Sequence, residues 1–263
     1  MRVRYVRPLI LGFAALAPLA MIALWSSSVP MAIGVLAASH ALVLYPTLRA
    51  RSQWLGRVVT SFRTTDRELW LTIDDGPDPG DTDAMLHLLN ERGVKATFFV
   101  IGTKAARHPE LVGRILENGH TIGNHSLTHP AGSFWCLGSG AMRREIEEAN
   151  RTLAGITGVP PSLFRAPVGM KNPFVHPLLH RLGMDLVGWS ARGYDGISRP
   201  DPATVATRIE RELRPGAIIL LHQGRHARDG RLLSVECVEE VVIRALARGY
   251  RFIIPERETF LPS

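Results

Sequence analysis

The sequence predicts an α/β fold, a (β/α) barrel of about seven strands preceded by a separate pair of apolar helices. Three observations carry this. From Glu68 onward, apolar β-type runs alternate with amphipathic stretches. The runs are mostly continuous in their apolar character, as strands of a parallel sheet covered by helices are. Between residues 8 and 48 there is no Asp, Glu, Lys or Arg, a composition unlike the remainder. Seven strands with intervening helices favour a barrel, complete or incomplete, over an open sheet, and the pattern by itself leaves that choice open.

The apolar region comes first. It is interrupted at "WSSSVP" (25–30), giving stretches 8–25 and 29–48. Each approaches the roughly 20 residues a helix needs to cross about 30 Å of hydrocarbon. Trp25 and Tyr45 suit interfacial positions. A signal peptide is the rival reading, with Arg2, Arg4 and Arg7 as its basic start and small residues in "ALAPLAMIA". A second apolar stretch follows at once, which a secreted protein does not need. The preferred reading is therefore a membrane anchor of two transmembrane helices in residues 1–60, ahead of a second domain in 67–263. Arg2, Arg4 and Arg7 precede the first helix, Arg49, Arg51 and Arg57 follow the second, and the short loop between is uncharged. The positive-inside rule then places both ends in the cytoplasm, at a bacterial inner membrane. If only one segment spans, or the segment is cleaved, the domain is periplasmic.

Strands are expected at 69–74, 96–102, 120–125, 162–167, 184–190, 217–223 and 250–255. Helices are expected at 82–91, 109–118, 140–157, 173–182, 202–213 and 233–248. Several of these helices run into glycine (Gly93, Gly119, Gly158, Gly183, Gly249), a common helix terminus.

Composition narrows the function. The chain has 263 residues, a formal net charge of +7 and 46% hydrophobic residues, enough for a sizeable core. Its basic residues are scattered, without a Lys/Arg patch interleaved with aromatics, so no nucleic-acid partner is expected. Cys136 and Cys237 make neither a disulfide framework nor a metal pattern.

Asp74, Asp75, His125, Arg165, Asp195 and His222 all fall at or just after strand C-termini, where such folds build active sites. Asp74 and Asp75 are adjacent like charges, and a bound cation would relieve their repulsion. His125 and His129 are four apart, a spacing that on a helical turn points two imidazoles the same way. The same spacing recurs at His176/His180, read as ordinary residues of an amphipathic helix, and at His222/His226, where His226 sits in a polar loop. Two histidines and one carboxylate make a common three-ligand zinc set with a position left for water. The second aspartate can then act on that water as a base. Asp78, Asp81 and Asp83 read as turn and helix-start residues.

The ordered segments "TIDDGPDP", "HSLTH", "RAPVG", "WSARGYD" and "LLH" resemble the five motifs of polysaccharide deacetylases with a NodB homology domain, carbohydrate esterase family 4. The resemblance spans roughly 67–255. It implies a distorted (β/α) barrel and a hydrolase that removes N-acetyl groups from an amino-sugar-containing glycan or glycolipid. It implies Asp74 as general base, and Asp75, His125 and His129 as ligands of a divalent metal, zinc first, with cobalt and nickel as alternatives. Arg165 matches the arginine that orients the base, Asp195 the motif-four acid and His222 the general acid paired with it. Val168 aligns with the oxyanion-binding backbone N–H. Leu221, or its neighbour Leu220, would wall the acetyl pocket.

The chain departs from the family pattern at several places. Gly196 follows the motif-four aspartate where a tryptophan is common. Val168 stands where motif three often has an aromatic. Arg192 replaces a frequent acid, and Gln223 an aspartate. These departures weaken the inference to chitin or peptidoglycan, and Arg192 would favour a phosphate- or carboxylate-bearing substrate. The expected partners are an N-acetylated glycan or lipid-linked sugar, and the membrane. The alternatives are a deformylase or cyclic-amide hydrolase on the same fold, and a non-catalytic membrane-bound glycan-binding domain. Intact Asp74, Asp75, His125, His129 and His222 argue against the last.

Overall fold

Two apolar helices, α1 (Arg7–Trp25) and α2 (Val29–Leu48), open the chain in the computed structural model, which describes residues 6–196 and 201–262. Both are long and apolar enough to cross a membrane. They pack on each other as a hairpin and leave large side chains such as Leu9, Leu16 and Ile22 exposed. Arg2 and Arg4, used above for orientation, lie outside the described residues. Proline at the first positions of each helix removes an N–H that has no helical partner there anyway.

The remaining elements follow as β1 (Val59–Phe62), β2 (Glu68–Gly76), α3 (Thr82–Glu91), β3 (Ala96–Val100), α4 (Gly102–Arg107), α5 (Pro109–Glu117) and β4 (Thr121–Asn124). After these come α6 (Ser139–Thr157), β5 (Leu163–Phe164), α7 (Val175–Arg181), β6 (Asp185–Leu186) and β7 (Ala191–Arg192). The chain closes with α8 (Pro202–Glu210), β8 (Ala217–His222), α9 (Leu233–Ala247), β9 (Arg251–Phe252) and β10 (Phe260–Pro262).

The sheet runs β10-β1-β8-β2-β3-β4-β5-β6, with β7 beside β8 and β9 beside β2. From β8 to β6 all pairings are parallel, while β1 runs antiparallel to β8 and β10. A single bridge pairs Val59 of β1 with Val187 just after β6, and Gly188 N–H donates to Val59 O at 2.7 Å. The parallel path therefore bends back on β1, giving the expected distorted barrel. Each of the seven expected strands has its counterpart, β2 longer than expected and the others shorter. The antiparallel β1 and β10, the short β7 and the helix α4 were not anticipated, because none carries an apolar run long enough to register.

Alternation sorts the strand residues. Leu69, Leu71 and Ile73 of β2 and Ile219 and Leu221 of β8 join a core under α3, α8 and α9, with Cys237 buried among them. Trp70 and Ile218 point to the other face, with Val59, Phe62 and Phe99. On that same inner face, further along β2 and β8, stand Asp74, Leu220 and His222. Buried Gln223 ties the end of β8 to the start of α3, its Nε2 donating to Asp81 Oδ1 at 2.8 Å and Thr82 Oγ1 at 2.9 Å. Gly76 passes so close to the Gln223 side-chain Oε1 that a Cβ there would collide with it.

Candidate active site

Asp74 and Asp75 stand at the C-terminal end of β2, just before its last residue, Gly76. Asp75 takes φ 70°, so its side chain turns along the strand end rather than into the alternation of β2. The other described non-glycine residues at positive φ are Ser126, His129, Val168 and Tyr194. All but Ser126 line one cavity of about 250 Å3, and Ser126 accepts the His129 N–H at 3.1 Å. Such conformations cost about 1–3 kcal/mol each and gather at functional sites.

His125 and His129 are brought together by a loop, not the helical turn their spacing suggested. Asn124 Oδ1 accepts the Ser126 N–H at 2.8 Å, and with Ser126 and His129 left-handed the loop folds the two rings to 4.7 Å between centroids. His129 Nε2 stands 3.3 Å and His125 Nε2 3.6 Å from Asp75 Oδ1. His125 Nδ1 lies 2.8 Å from Arg165 O. A carbonyl only accepts, so Nδ1 carries a proton, and in the neutral ring that a metal ligand must be the lone pair is then on Nε2.

This donor set fits a divalent cation. Ligand atoms of Asp75, His125 and His129 all lie within 4.8 Å of one another. Asp75 Oδ1 is buried with no hydrogen-bond partner, an arrangement that is costly unless something else satisfies the oxygen. Burial opposes the Asp75 charge, but His125, His222 and His129 outweigh it and hold the carboxyl well below the usual carboxylate range. Burial first, and then His125 whenever that ring is protonated, push His129 down to about 4 against the attraction of Asp75 and Asp74, so it is neutral as a ligand must be.

Asp74 is held differently. Arg165, 1% exposed, donates from Nη1 to Asp74 Oδ1 at 2.7 Å and to Thr72 Oγ1 at 2.8 Å. Its Nε and Nη2 go to Val187 O and Gly188 O, and its guanidinium lies 4.2 Å over the Phe99 ring. Four of its five N–H groups have acceptors and the side chain is buried, so Arg165 is a strut and no surface ion pair. Asp74 Oδ2 stays on the side of the triad, 3.6 Å from His125 Nε2.

Across the cavity, Asp195 is buried and its two oxygens take the two donors of His222: Oδ1 from Nδ1 at 3.0 Å and Oδ2 from the backbone N–H at 2.7 Å. Burial alone would lower the His222 pKa. Asp195, with Asp74 and Asp75, reverses this and pushes it up to about 9. Gly196 leaves room beside the ring, since a Cβ there would stand 3.2 Å from His222 Cε1.

Val168 lines the cavity at φ 48°. Leu221 does not: it is fully buried in the core under the helices, and Leu220 takes the cavity wall. The correction follows from strand period, since Leu220 shares a face with His222 and Leu221 cannot. Arg225 was missed. Its Nη2 donates to Asp75 Oδ2 at 3.1 Å, and the only sequence signal was a cation three residues beyond His222. Asp78, Asp81 and His226 form a second cluster. Asp81 there accepts from Gln223 and Gly224, and His226 is exposed.

A family model described as polysaccharide deacetylase matches residues 62–187. The chain is 34% identical over 190 residues to a chitooligosaccharide deacetylase of Bradyrhizobium sp. (strain ANU 289), covering 72% of this chain and 84% of the relative. It is 30% identical over 207 residues to a peptidoglycan-N-acetylglucosamine deacetylase of Bacillus cereus, covering 78% and 94%. Among solved structures, the family 4 carbohydrate esterase from Streptomyces lividans superposes with a TM-score of 0.64 at 27% identity, over 77% of this chain and 96% of that one. Peptidoglycan deacetylase PdaC from Bacillus subtilis superposes at 0.62 and 29%, over 72% and 89%.

Proposed function

Because the chain belongs to the polysaccharide deacetylase family, we propose that it is a metal-dependent hydrolase removing N-acetyl groups from an amino-sugar-containing glycan or glycolipid. The observation that carries this reading is the unpartnered Asp75 Oδ1 between two histidine Nε2 atoms, with Asp74 on one side and the Asp195–His222 pair on the other.

Asp75, His125 and His129 would hold the cation, zinc by the chemistry of two imidazoles and a carboxylate. When bound, it supplies Lewis-acid polarisation of the amide carbonyl and acidifies water. The chain's own groups then divide the proton work. Asp74, its Oδ1 fixed by Arg165, takes the proton of the attacking water on Oδ2. The Val168 N–H donates to the oxygen on which negative charge develops. His222 is charged at neutral pH, and with Nδ1 committed to Asp195 it gives its Nε2 proton to the departing amine. Water and amide thus become acetate and free amino sugar. Leu220 walls the acyl group, and Gly196 leaves the sugar side open.

The α1–α2 hairpin would anchor the enzyme in a membrane, with the hydrolytic domain cytoplasmic by the arginines flanking it. A reporter fused after Ser263 that is active only outside the cytoplasm would overturn that orientation. The activity itself is tested on the full chain: bound metal by mass spectrometry, then acetate and formate release from acetylated oligosaccharides and lipid-linked amino sugars. Acetate release that is lost in Asp74→Asn supports the proposal. Formate alone would replace it with deformylation, and neither metal nor release would leave a binding domain.

A further inference from the structure

The cavity over the triad continues beyond the catalytic groups. Val168, Trp189, Arg192 and Tyr194 line it and also line a larger vestibule of about 880 Å3. The far wall of the vestibule is the end of α2 and the segment after it, including Tyr45, Leu48, Arg49 and Trp54. Trp54 also borders a third cavity of about 490 Å3 between the two apolar helices, with Leu9, Ile10, Phe13 and Leu42. Shared residues make the three cavities neighbours: Trp54 stands between the apolar groove and the vestibule, and Val168, Trp189, Arg192 and Tyr194 between the vestibule and the hydrolytic site.

The chemistry changes from one to the next. The groove is almost wholly apolar. The vestibule is cationic: Arg49 and Arg192 have no carboxylate partner among the described residues. The Arg192 guanidinium is stacked 4.5 Å from the Tyr194 ring and 5.3 Å from Trp189, and its Nε is buried without a hydrogen-bond partner. Glu212, on the same wall, is taken up by Arg51 at 3.8 Å and by the Arg192 backbone N–H at 2.8 Å. A planar guanidinium held by aromatic faces with an unmet donor suits phosphate oxygens.

The distance from helix end to site is also set. Buried Lys171 donates from Nζ to Arg49 O at 2.7 Å and Ala50 O at 3.1 Å, and its backbone N–H bonds Thr47 O at 3.1 Å. Arg51 Nη2 reaches Ser190 O at 2.7 Å. The hairpin is stitched to the domain at the vestibule floor.

We infer that the substrate is an amino sugar joined through phosphate to a long apolar chain. The chain lies between α1 and α2, the phosphate at Arg192 and Arg49, and the acylated amine at the triad. The inference rests on the deacetylase reading and on the hairpin lying in a membrane, and narrows both to a membrane-borne glycolipid.

The test uses the full chain in detergent micelles, with binding followed by fluorescence of Trp54 and Trp189. The probes are polyprenyl monophosphate, polyprenol and inorganic phosphate. The expected result is saturable binding of polyprenyl monophosphate about tenfold or more tighter than either control, weakened about tenfold by Arg192→Ala and also by Arg49→Ala, which is exposed and keeps the fold. Equal binding of polyprenol, tighter binding of inorganic phosphate, or indifference to both substitutions overturns it. Acetate release separates this inference from the proposed function. Hydrolysis of soluble chitooligosaccharides without polyprenyl phosphate binding sinks the lipid substrate alone. Phosphate-dependent lipid binding with no acetate released from any sugar sinks the deacetylase and leaves the lipid site.

Discussion

Arg165 Nη1 lies 2.7 Å from Asp74 Oδ1, and both side chains are almost wholly removed from solvent. Removing the cation leaves a buried carboxylate uncompensated, which costs about 3–5 kcal/mol. Arg165→Met is expected to lose stability of that order in denaturant unfolding. Arg165→Lys keeps a charge but not the fork that also serves Thr72, Val187 and Gly188. It should retain more stability while kcat still falls by about tenfold or more.

Chelation should abolish hydrolysis, and added zinc or cobalt should restore it. The same ion should raise the unfolding midpoint, since a ligand at about 100 times its Kd stabilises by about 2.7 kcal/mol. Asp75→Asn should remove both the bound metal and the stabilisation. A midpoint unmoved by metal in the unsubstituted protein would contradict the assignment of Asp75, His125 and His129.

Arg225 Nη2 on Asp75 Oδ2 leaves Oδ1 facing the two histidines. Arg225→Ala should weaken metal affinity by about 10–100-fold, as loss of a group orienting a ligand does. Competition with a zinc chelator measures it. The fold should survive, because Arg225 is only partly buried.

As the proposed acid, His222 works only while protonated, so kcat/KM should fall on a basic limb set by a pKa that its carboxylate neighbours push up to about 9. A cation on Asp75 offsets some of the carboxylate attraction and moves this basic limb down. In Asp195→Asn the largest attraction is gone, and the limb should move further toward 6.5. The sign for stability follows. The folded pKa is raised, so the Asp195–His222 contribution is complete below about 6.5 and is lost as pH rises through about 9.

Lys171 has the opposite dependence. Burial lowers its pKa from 10.5 to about 7, and the neutral amine still has two N–H groups for the two carbonyls it bonds. The unfolded chain binds more protons between those values, so this position should gain stability as pH rises from about 7 to 10.5. Lys171→Met should flatten that slope in pH-resolved thermal unfolding. An unchanged slope would place the titration elsewhere.

The alternation of strand and helix, the two apolar helices and the strand-end positions of Asp74, Asp75, His125, Arg165, Asp195 and His222 were legible in the sequence. Each depends on periodicity or on a motif confined to a few neighbouring residues. The short β1, β7 and β10 were not, because, unlike the equally short β5, β6 and β9, they lie in no apolar run long enough to register. The choice between Leu220 and Leu221 needed only the two-residue period of β8, which puts Leu220 on the face of His222. The folded chain alone decided which atoms meet. Arg225 reaches Asp75 across 150 residues, and Lys171 reaches Arg49 across 122. Arg192 comes to stand between the triad and the end of α2. Local sequence sets the conformation of each segment, whereas such contacts arise only when separate strands close into one barrel and bring their ends to a common rim.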